Sequence, residues 1–505
     1  MRNLSYKTLN DIGYQGYLLE HAPEKVLQFG DGNFLRAFVE GYVDRANERT
    51  GWNGKVVMVQ AHERAAARAD ALNEQDGLYT VHTRGTANGA KVDEMRVISC
   101  VSRCINPYRT GDYLYLMEVA CSSDLELVIS NTTEAGIVYD DSCEPYDEPP
   151  ASFPARLTQV LYARWRANLP GVIVLSCELI DHNGAKLREC VGRYARQWGW
   201  DAGFERWLDV DCTFCTTLVD SIVPGAVRDP DQAAALDERA GFHDALADVR
   251  EPFDLWGIEG TADLEDRLPF KAAGLDTVFV TKDVSPYKRR KVRILNGAHT
   301  AFVPCSYLAG FDIVRDCMHD EAIRTFMDGM LQEEVIPTLV PALEQSDCEA
   351  FAAAVADRFD NPFIDHQLLS ICLNSVSKWK ARDLPTLLDY VEGRHDLPRR
   401  LTFSLAALIA FYTRPGGTLE EDGIHLTRED GDAYVATDNR DILELLHAHA
   451  TDEVPGLVQA VLGDEGLWDT DLTDIPGLAD LVAADLTAIR TDGPKAALVA
   501  CTQTD

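Results

Sequence analysis

No run of this chain approaches the ~18 consecutive apolar residues that a membrane-crossing helix needs, so no membrane partner is expected. The N-terminus, Met1-Arg-Asn-Leu-Ser-Tyr-Lys7, has no apolar signal-peptide core behind it, and a cytoplasmic location is the expectation. Basic residues are scarce, 47 Lys and Arg against 82 Asp and Glu, for a net charge of −35. A phosphate backbone demands a basic surface, so nucleic acid is not expected as a partner. A disulfide framework is missing too. The thirteen cysteines are an odd number spread through apparent strands and helices, which is the distribution of reduced thiols. Cys212-x-x-Cys215 is the one close pair with redox or zinc spacing, and with no second pair it reads as core packing. No clustered His/Cys/Asp/Glu set suggests a metal, and no internal repeat or low-complexity tract is visible.

What is present is the balance of a globular protein, 46% hydrophobic and 26% charged, in a chain of 505 residues that is too long for one ordinary core. From about residue 24, continuous apolar runs such as Val56-Val-Met-Val59, Leu125-Glu-Leu-Val-Ile129, Gly171-Val-Ile-Val-Leu175 and Thr277-Val-Phe-Val280 alternate with amphipathic stretches. Runs of that kind belong to buried parallel strands, and their alternation with helices predicts a Rossmann-like, doubly wound α/β domain. After Asp283 helical periodicity takes over, to about Thr413 and again from Ile442. Residues 415–440, rich in Gly, Asp and Glu, read as a loop or short excursion. The expected division is residues 1–283 for dinucleotide binding and 284–505 for a mainly helical substrate domain.

Two motifs carry chemistry. Val26-Leu-Gln-Phe29 runs into Gly30-Asp-Gly32 and then into a helical pattern, which is the start of a dinucleotide fingerprint. The first glycine permits the tight turn and the second lets backbone approach a pyrophosphate. The third glycine is replaced by Leu35, and a plain turn would also use Gly-x-Gly. Gln60 stands where an acid would bind ribose. Glu63 beyond it could hold a ribose hydroxyl and Arg64 a 2′-phosphate, so these residues leave NAD and NADP both open. Arg36 suits either a diphosphate or structural capping.

The second motif is Lys291-Val-Arg-Ile-Leu-Asn296-Gly-Ala-His299. At about 100° per residue on an α-helix, Asn296 and His299 share a face, with Lys291 roughly 140° from Asn296. Lysine, amide and imidazole together can take a proton from a hydroxyl and hold its oxygen as it becomes a carbonyl, without a metal. A basic helix start with a satisfied core histidine is the structural alternative. The cluster Lys288-Arg-Arg-Lys291-x-Arg293 is the densest positive charge in the chain and would suit an anionic substrate or a cofactor diphosphate, with a solvated helix start as the alternative for Arg289 and Arg290.

Taken in order, these segments resemble the long-chain mannitol dehydrogenase family of polyol and sugar-acid oxidoreductases. Further matches are Leu72-Asn-Glu-Gln-Asp-Gly-Leu-Tyr-Thr80, Ser130-Asn-Thr-Thr-Glu-Ala-Gly136, Leu218-Val-Asp-Ser-Ile-Val-Pro-Gly225 and Leu373-Asn-Ser-Val-Ser-Lys378, so that the resemblance spans residues 20–495. It implies reversible hydride transfer between a nicotinamide cofactor and a linear sugar acid, with Lys291 as general base. Asn296 and Asn183 would steady the alkoxide and His299 would orient the substrate. Asn183 stands in because the family's Asp-Asn pair is here Glu178-Leu179. The resemblance further implies Asp220 and Lys378 as substrate ligands, and Arg382, one turn beyond Lys378, could take a substrate carboxylate or pair with a neighbouring acid. Phe29, Gly30, Gly32, Asn33, Phe34, Thr133 and Glu134 would lie at the cofactor. A sibling activity on fructuronate or a neutral polyol uses the same trio, and a non-catalytic sugar-acid or nucleotide sensor is the reading from another class. Oligomeric state is left undetermined.

Overall fold

The computed structural model describes residues 1–133, 135–340 and 342–503. It divides into two compact units, the first made of Met1–Arg84 and Val92–Val284, the second of Gly85–Lys91 and Ser285–Asp505.

The first unit is built on one eight-stranded sheet. In chain order its strands are β1 Glu24–Phe29, β2 Lys55–Val59, β3 Val101–Ile105, β4 Leu127–Ser130, β5 Ile173–Ser176, β6 Thr213–Asp220, β7 Leu255–Glu259 and β8 Val278–Thr281. They lie side by side as β3-β2-β1-β4-β5-β6-β7-β8. The pairs from β3 across to β6 are parallel. β7 then runs antiparallel to β6 and parallel to β8, so the last two strands are reversed, a feature the apolar runs alone did not signal.

Side chains of a strand alternate between faces, and here both faces are covered. Val26, Val56 and Met58 enter one core with Phe38 and Tyr42 of helix α1 (Asn33–Thr50). Leu27, Val57 and Val59 enter the other with Leu157 and Val160 of α2 (Phe153–Arg166). Each such aliphatic, fully buried, contributes about 1.5–3 kcal/mol. Cys212 and Cys215 belong to these two different cores, and burial pushes both thiols up to about 12. All thirteen cysteines are free thiols. Strand order reverses between β1 and β4, which in a doubly wound sheet marks the ligand crevice at the carboxyl ends of the strands.

In the second unit a π-helical stretch, Lys291–Asn296, leads straight into helix α4 (Gly297–Leu308). Helices α5 (Ser375–Arg382), α6 (Arg399–Tyr412) and α7 (Leu478–Thr491) follow. Within 415–440 the chain forms a small antiparallel meander, Thr418–Leu419, Ile424–Thr427 and Ala433–Ala436. Ile424, Leu426, Tyr434 and Ala436 are its buried alternate residues, a period too short to stand out among the acidic and glycine residues around them. Among the described residues no helix is long and apolar enough to cross a membrane.

Candidate active site

The crevice predicted by the strand order is open in the first unit. A cleft of about 320 Å³ is lined by Phe29 at the end of β1, Thr132 and Thr133 after β4, His62 after β2, and Phe153 and Arg156 of α2. Gly30 adopts φ +118, and a Cβ there would come within 2.9 Å of the Asn131 carbonyl, so only glycine fits. At Gly32 a Cβ would meet nothing within 4 Å, and the residue sits at the start of α1 with no side-chain cap. An open backbone face at the N-terminus of an 18-residue helix is suited to an anion such as a diphosphate. Thr133 holds φ +76, a conformation costly for a β-branched residue and characteristic of functional sites.

Other residues flanking the turn have structural work. Asn33 accepts from Arg36 through Oδ1 at 2.8 Å, and Arg36 also donates to the Leu246 carbonyl at 2.7 Å and pairs with Asp248 at 3.2 Å. Arg36 is therefore a clamp on the first turn of α1, not a diphosphate ligand. The Phe34 ring stacks on Phe38 with centroids 4.9 Å apart. Glu134 lies outside the described residues. Buried Gln60 donates to the carbonyls of His62 and Glu63, so it shapes the loop after β2.

Asn183, expected to donate to a substrate alkoxide, is corrected by the structure. It is fully buried at the first position of α3 (Asn183–Gln197), and its Nδ2 donates to the carbonyls of Glu178 (2.9 Å) and Thr217 (3.0 Å). Its Oδ1 accepts from the amides of Gly184 and Thr217 at 2.8 and 3.0 Å. With both amide hydrogens committed, Asn183 staples the turn after β5 to β6 and has nothing left for a substrate. Asp220 is buried at the end of β6.

The second unit gathers the remaining residues. The amide of Gly297 reaches back to the carbonyl of Val292, a bond five residues long. Such a π-turn places residues five apart roughly one turn apart. Lys291 and Asn296 are therefore brought toward one face, closer than the ideal α-helix had them. Three residues on, the His299 ring stacks on Phe359 (3.9 Å between centroids, 20° between planes) with His366 edge-on at 5.4 Å. Burial, followed by the neighbouring His366 and then the charges of Arg382, Arg358 and Lys378, drives its pKa well below the usual histidine value. The ring is thus neutral, and its buried Nε2 has no hydrogen-bond partner among the described residues. A buried polar atom of that kind calls for a partner.

Arg382 donates through Nη1 to the Asn296 carbonyl at 3.4 Å and to Thr300 Oγ1 at 3.0 Å, fixing the helix that carries the trio. Lys378 is half-buried, donates to the Ile371 carbonyl at 2.9 Å, and is depressed in pKa by burial and then by Arg382. The expected cationic patch is only partly there. Arg290 turns inward over Phe351 (4.5 Å), and Arg293 pairs with Asp389 at 2.6 Å and bonds Thr338 at 3.0 Å.

Some site residues left little trace in the sequence. Arg156 Nη2 donates to Tyr108 OH at 2.7 Å and Nε to the Pro150 carbonyl at 2.9 Å, and Tyr108 OH donates to Ala61 O at 2.9 Å. That network joins three loops around the cleft; its only signal was a charge on the apolar face of α2. Buried Glu178 accepts from Ser130 Oγ (3.1 Å) and from the amide and hydroxyl of Thr132 (3.0 and 3.1 Å), fixing the cleft wall from beneath. Among the described residues, the group with metal-ligand proximity is exposed Glu420, Asp422 and half-buried His425, on the small meander.

A doubly wound sheet with a glycine turn at its switch point, joined in one chain to a helical unit bearing Lys, Asn and His, is the build of an oxidoreductase acting on CH–OH groups. Comparison with known proteins makes this specific. Residues 24–272 match the mannitol dehydrogenase Rossmann domain and 283–490 the mannitol dehydrogenase C-terminal domain. The chain belongs to the mannitol dehydrogenase family, and it is an oxidoreductase of polyols or sugar acids. Altronate oxidoreductases of Escherichia coli strains O139:H28 and O1:K1 are each 42% identical to it over 503 residues, covering 97% of this chain and 99% of theirs. The fold is shared with a substrate-free D-sorbitol dehydrogenase (TM-score 0.79, 24% identity, 98% of this chain and 100% of that one). It is shared too with Pseudomonas fluorescens mannitol 2-dehydrogenase, solved as a ternary complex with NAD and D-mannitol (TM-score 0.66, 23% identity, 100% of both chains).

Proposed function

We propose that this protein is an NAD-dependent reductase of a linear sugar acid, converting tagaturonate to altronate reversibly and without a metal. The observation that carries the reading is neutral His299, its unpartnered Nε2 buried three residues beyond the π-turn of Lys291 and Asn296. The relatives named altronate oxidoreductase supply the choice of substrate.

A bound nicotinamide supplies the hydride. Gly30 and Gly32 would hold the diphosphate against the first turn of α1, with Phe29 and Thr133 along the cleft. In the reduction direction Lys291 gives its proton to the oxygen that becomes the new hydroxyl; in oxidation the neutral amine takes that proton back. The Asn296 amide donates to the same oxygen while it carries negative charge. His299 Nε2 bonds a neighbouring substrate hydroxyl and orients the chain, with Lys378 as a further hydroxyl ligand. The positive charges of Lys378 and Arg382 beside His299 attract the carboxylate. A cytoplasmic setting fits the free thiols.

Lys291→Ala tests the assignment. Removing a general acid–base typically costs about 10²–10⁴ in turnover, and NADH affinity should stay at the wild-type value. Loss of both, or of neither, contradicts the role.

A further inference from the structure

Beneath the glycine turn lies a buried polar chain that the proposed chemistry does not use. Gln28, on β1, donates through Nε2 to the Gly30 carbonyl at 3.0 Å and to Glu40 Oε1 at 2.5 Å. Both side chains are fully buried, and Gln28 Oε1 and Glu40 Oε2 have no hydrogen-bond partner among the described residues. A carboxyl group buried on so few bonds is unfavourable where an apolar side chain would fill the space equally well. What the pair accomplishes is to hold one amide between two acceptors, so that the Gly30 carbonyl has a fixed direction. That carbonyl begins the turn whose second glycine presents the open backbone face.

We propose that Glu40 is a positioning residue for the dinucleotide, acting through Gln28 to lock the Gly30 carbonyl and so hold the Gly32 face ready for the diphosphate. The proposal rests on the reading that this unit binds NAD or NADP. It has a consequence in pH. Burial pushes the Glu40 carboxyl up to about 7, opposed by the Gln28 bond and the Arg36 charge and reinforced by Asp248. The other titratable groups facing it are Tyr79, Cys100 and Cys177. Asp248 is itself raised, to about 6, chiefly by burial. An ionised carboxylate is the stronger acceptor, so the lock tightens as Glu40 loses its proton and dinucleotide affinity rises with it.

The test is direct binding to the full-length protein by calorimetry, with NADH and NADPH separately, from pH 6 to 8.5 in buffers of different ionisation enthalpy. For the wild type, Kd should rise about tenfold from the alkaline to the acid end, as linkage to one group titrating near neutrality requires. Binding at the acid end should release close to one proton. Glu40→Gln should bind with the weak acid-end affinity at every pH, whereas Asp248→Asn should keep the wild-type slope. A Glu40→Gln profile that still follows pH overturns the proposal. So does a wild-type profile that is flat and proton-neutral, which decides the matter even if the variant fails to fold. If the wild type binds neither nucleotide at any pH, the cofactor reading itself has failed, and the proposal falls with it.

Discussion

Gly30 and Gly32 stand two residues apart and should respond oppositely to the same substitution. At Gly30, alanine would sit at φ +118 with its Cβ 2.9 Å from a backbone carbonyl that cannot step aside. Strain at a disfavoured backbone conformation alone is about 1–3 kcal/mol, and the contact adds to it. For a domain of this size each kcal/mol corresponds to about 2–4 °C in Tm, so Gly30→Ala should melt several degrees below the wild type. Gly32 has φ −70, which alanine adopts freely, and open space in front of it. Its alanine variant should stay within about 1 kcal/mol of the wild type, the weaker N-cap offset by a less flexible unfolded chain. That methyl would nonetheless occupy the face proposed for the diphosphate, and NADH affinity should fall at least tenfold. Thermal melts without nucleotide, paired with NADH titrations, separate the two effects. A Gly32→Ala protein that binds NADH normally would refute the diphosphate cradle; one that melts as low as Gly30→Ala would refute the geometry behind it.

Asn183→Ala should cost roughly 3–5 kcal/mol in urea unfolding, because it removes four buried hydrogen bonds, among them the side-chain acceptor of the Gly184 and Thr217 amides, with kcat per folded molecule nearly unchanged. A 10²-fold fall in kcat at unchanged stability, the usual size of a lost oxyanion donor, would return it to catalysis. Asn296→Ala should show that 10²–10³-fold loss without a shift in NADH affinity. Glu40 is raised from 4.5 to about 7 in the fold, so the native state holds more protons than the unfolded chain between those values. Stability therefore falls as pH rises through that window. Glu40→Gln should melt above the wild type at pH 8, with the gap closing toward pH 5; a constant gap would contradict the burial effect. Prolonged dialysis against EDTA should leave turnover unchanged.

Much of the fold was legible because its signals are local. Continuous apolar runs become strands buried on both faces, and Val56-Val-Met-Val59 does so residue by residue. The reversal of β7 was hidden, since the direction of a strand leaves no mark on its own composition. The Lys291–Asn296–His299 spacing singled out one stretch of chain, but its geometry depends on a π-turn that a 100° wheel does not contain. Asn183 misled for a related reason. An asparagine between a strand and a helix looks the same whether its amide faces a ligand or two backbone carbonyls, and only the partners distinguish them. Arg290 and Arg293 belonged to the cluster expected to suit an anionic ligand and proved to be anchored within the helical unit.

The central claim is metal-independent reduction of a sugar acid at Lys291, and the most direct measurement is NADH oxidation by the purified protein in EDTA. D-tagaturonate, D-fructuronate and D-fructose would be offered side by side, with NADPH in parallel. The account predicts a clear preference for D-tagaturonate with NADH, abolished in Lys291→Ala. Preference for either other ketose would contradict the substrate assignment, and no turnover with any substrate and either cofactor would contradict the claim as a whole.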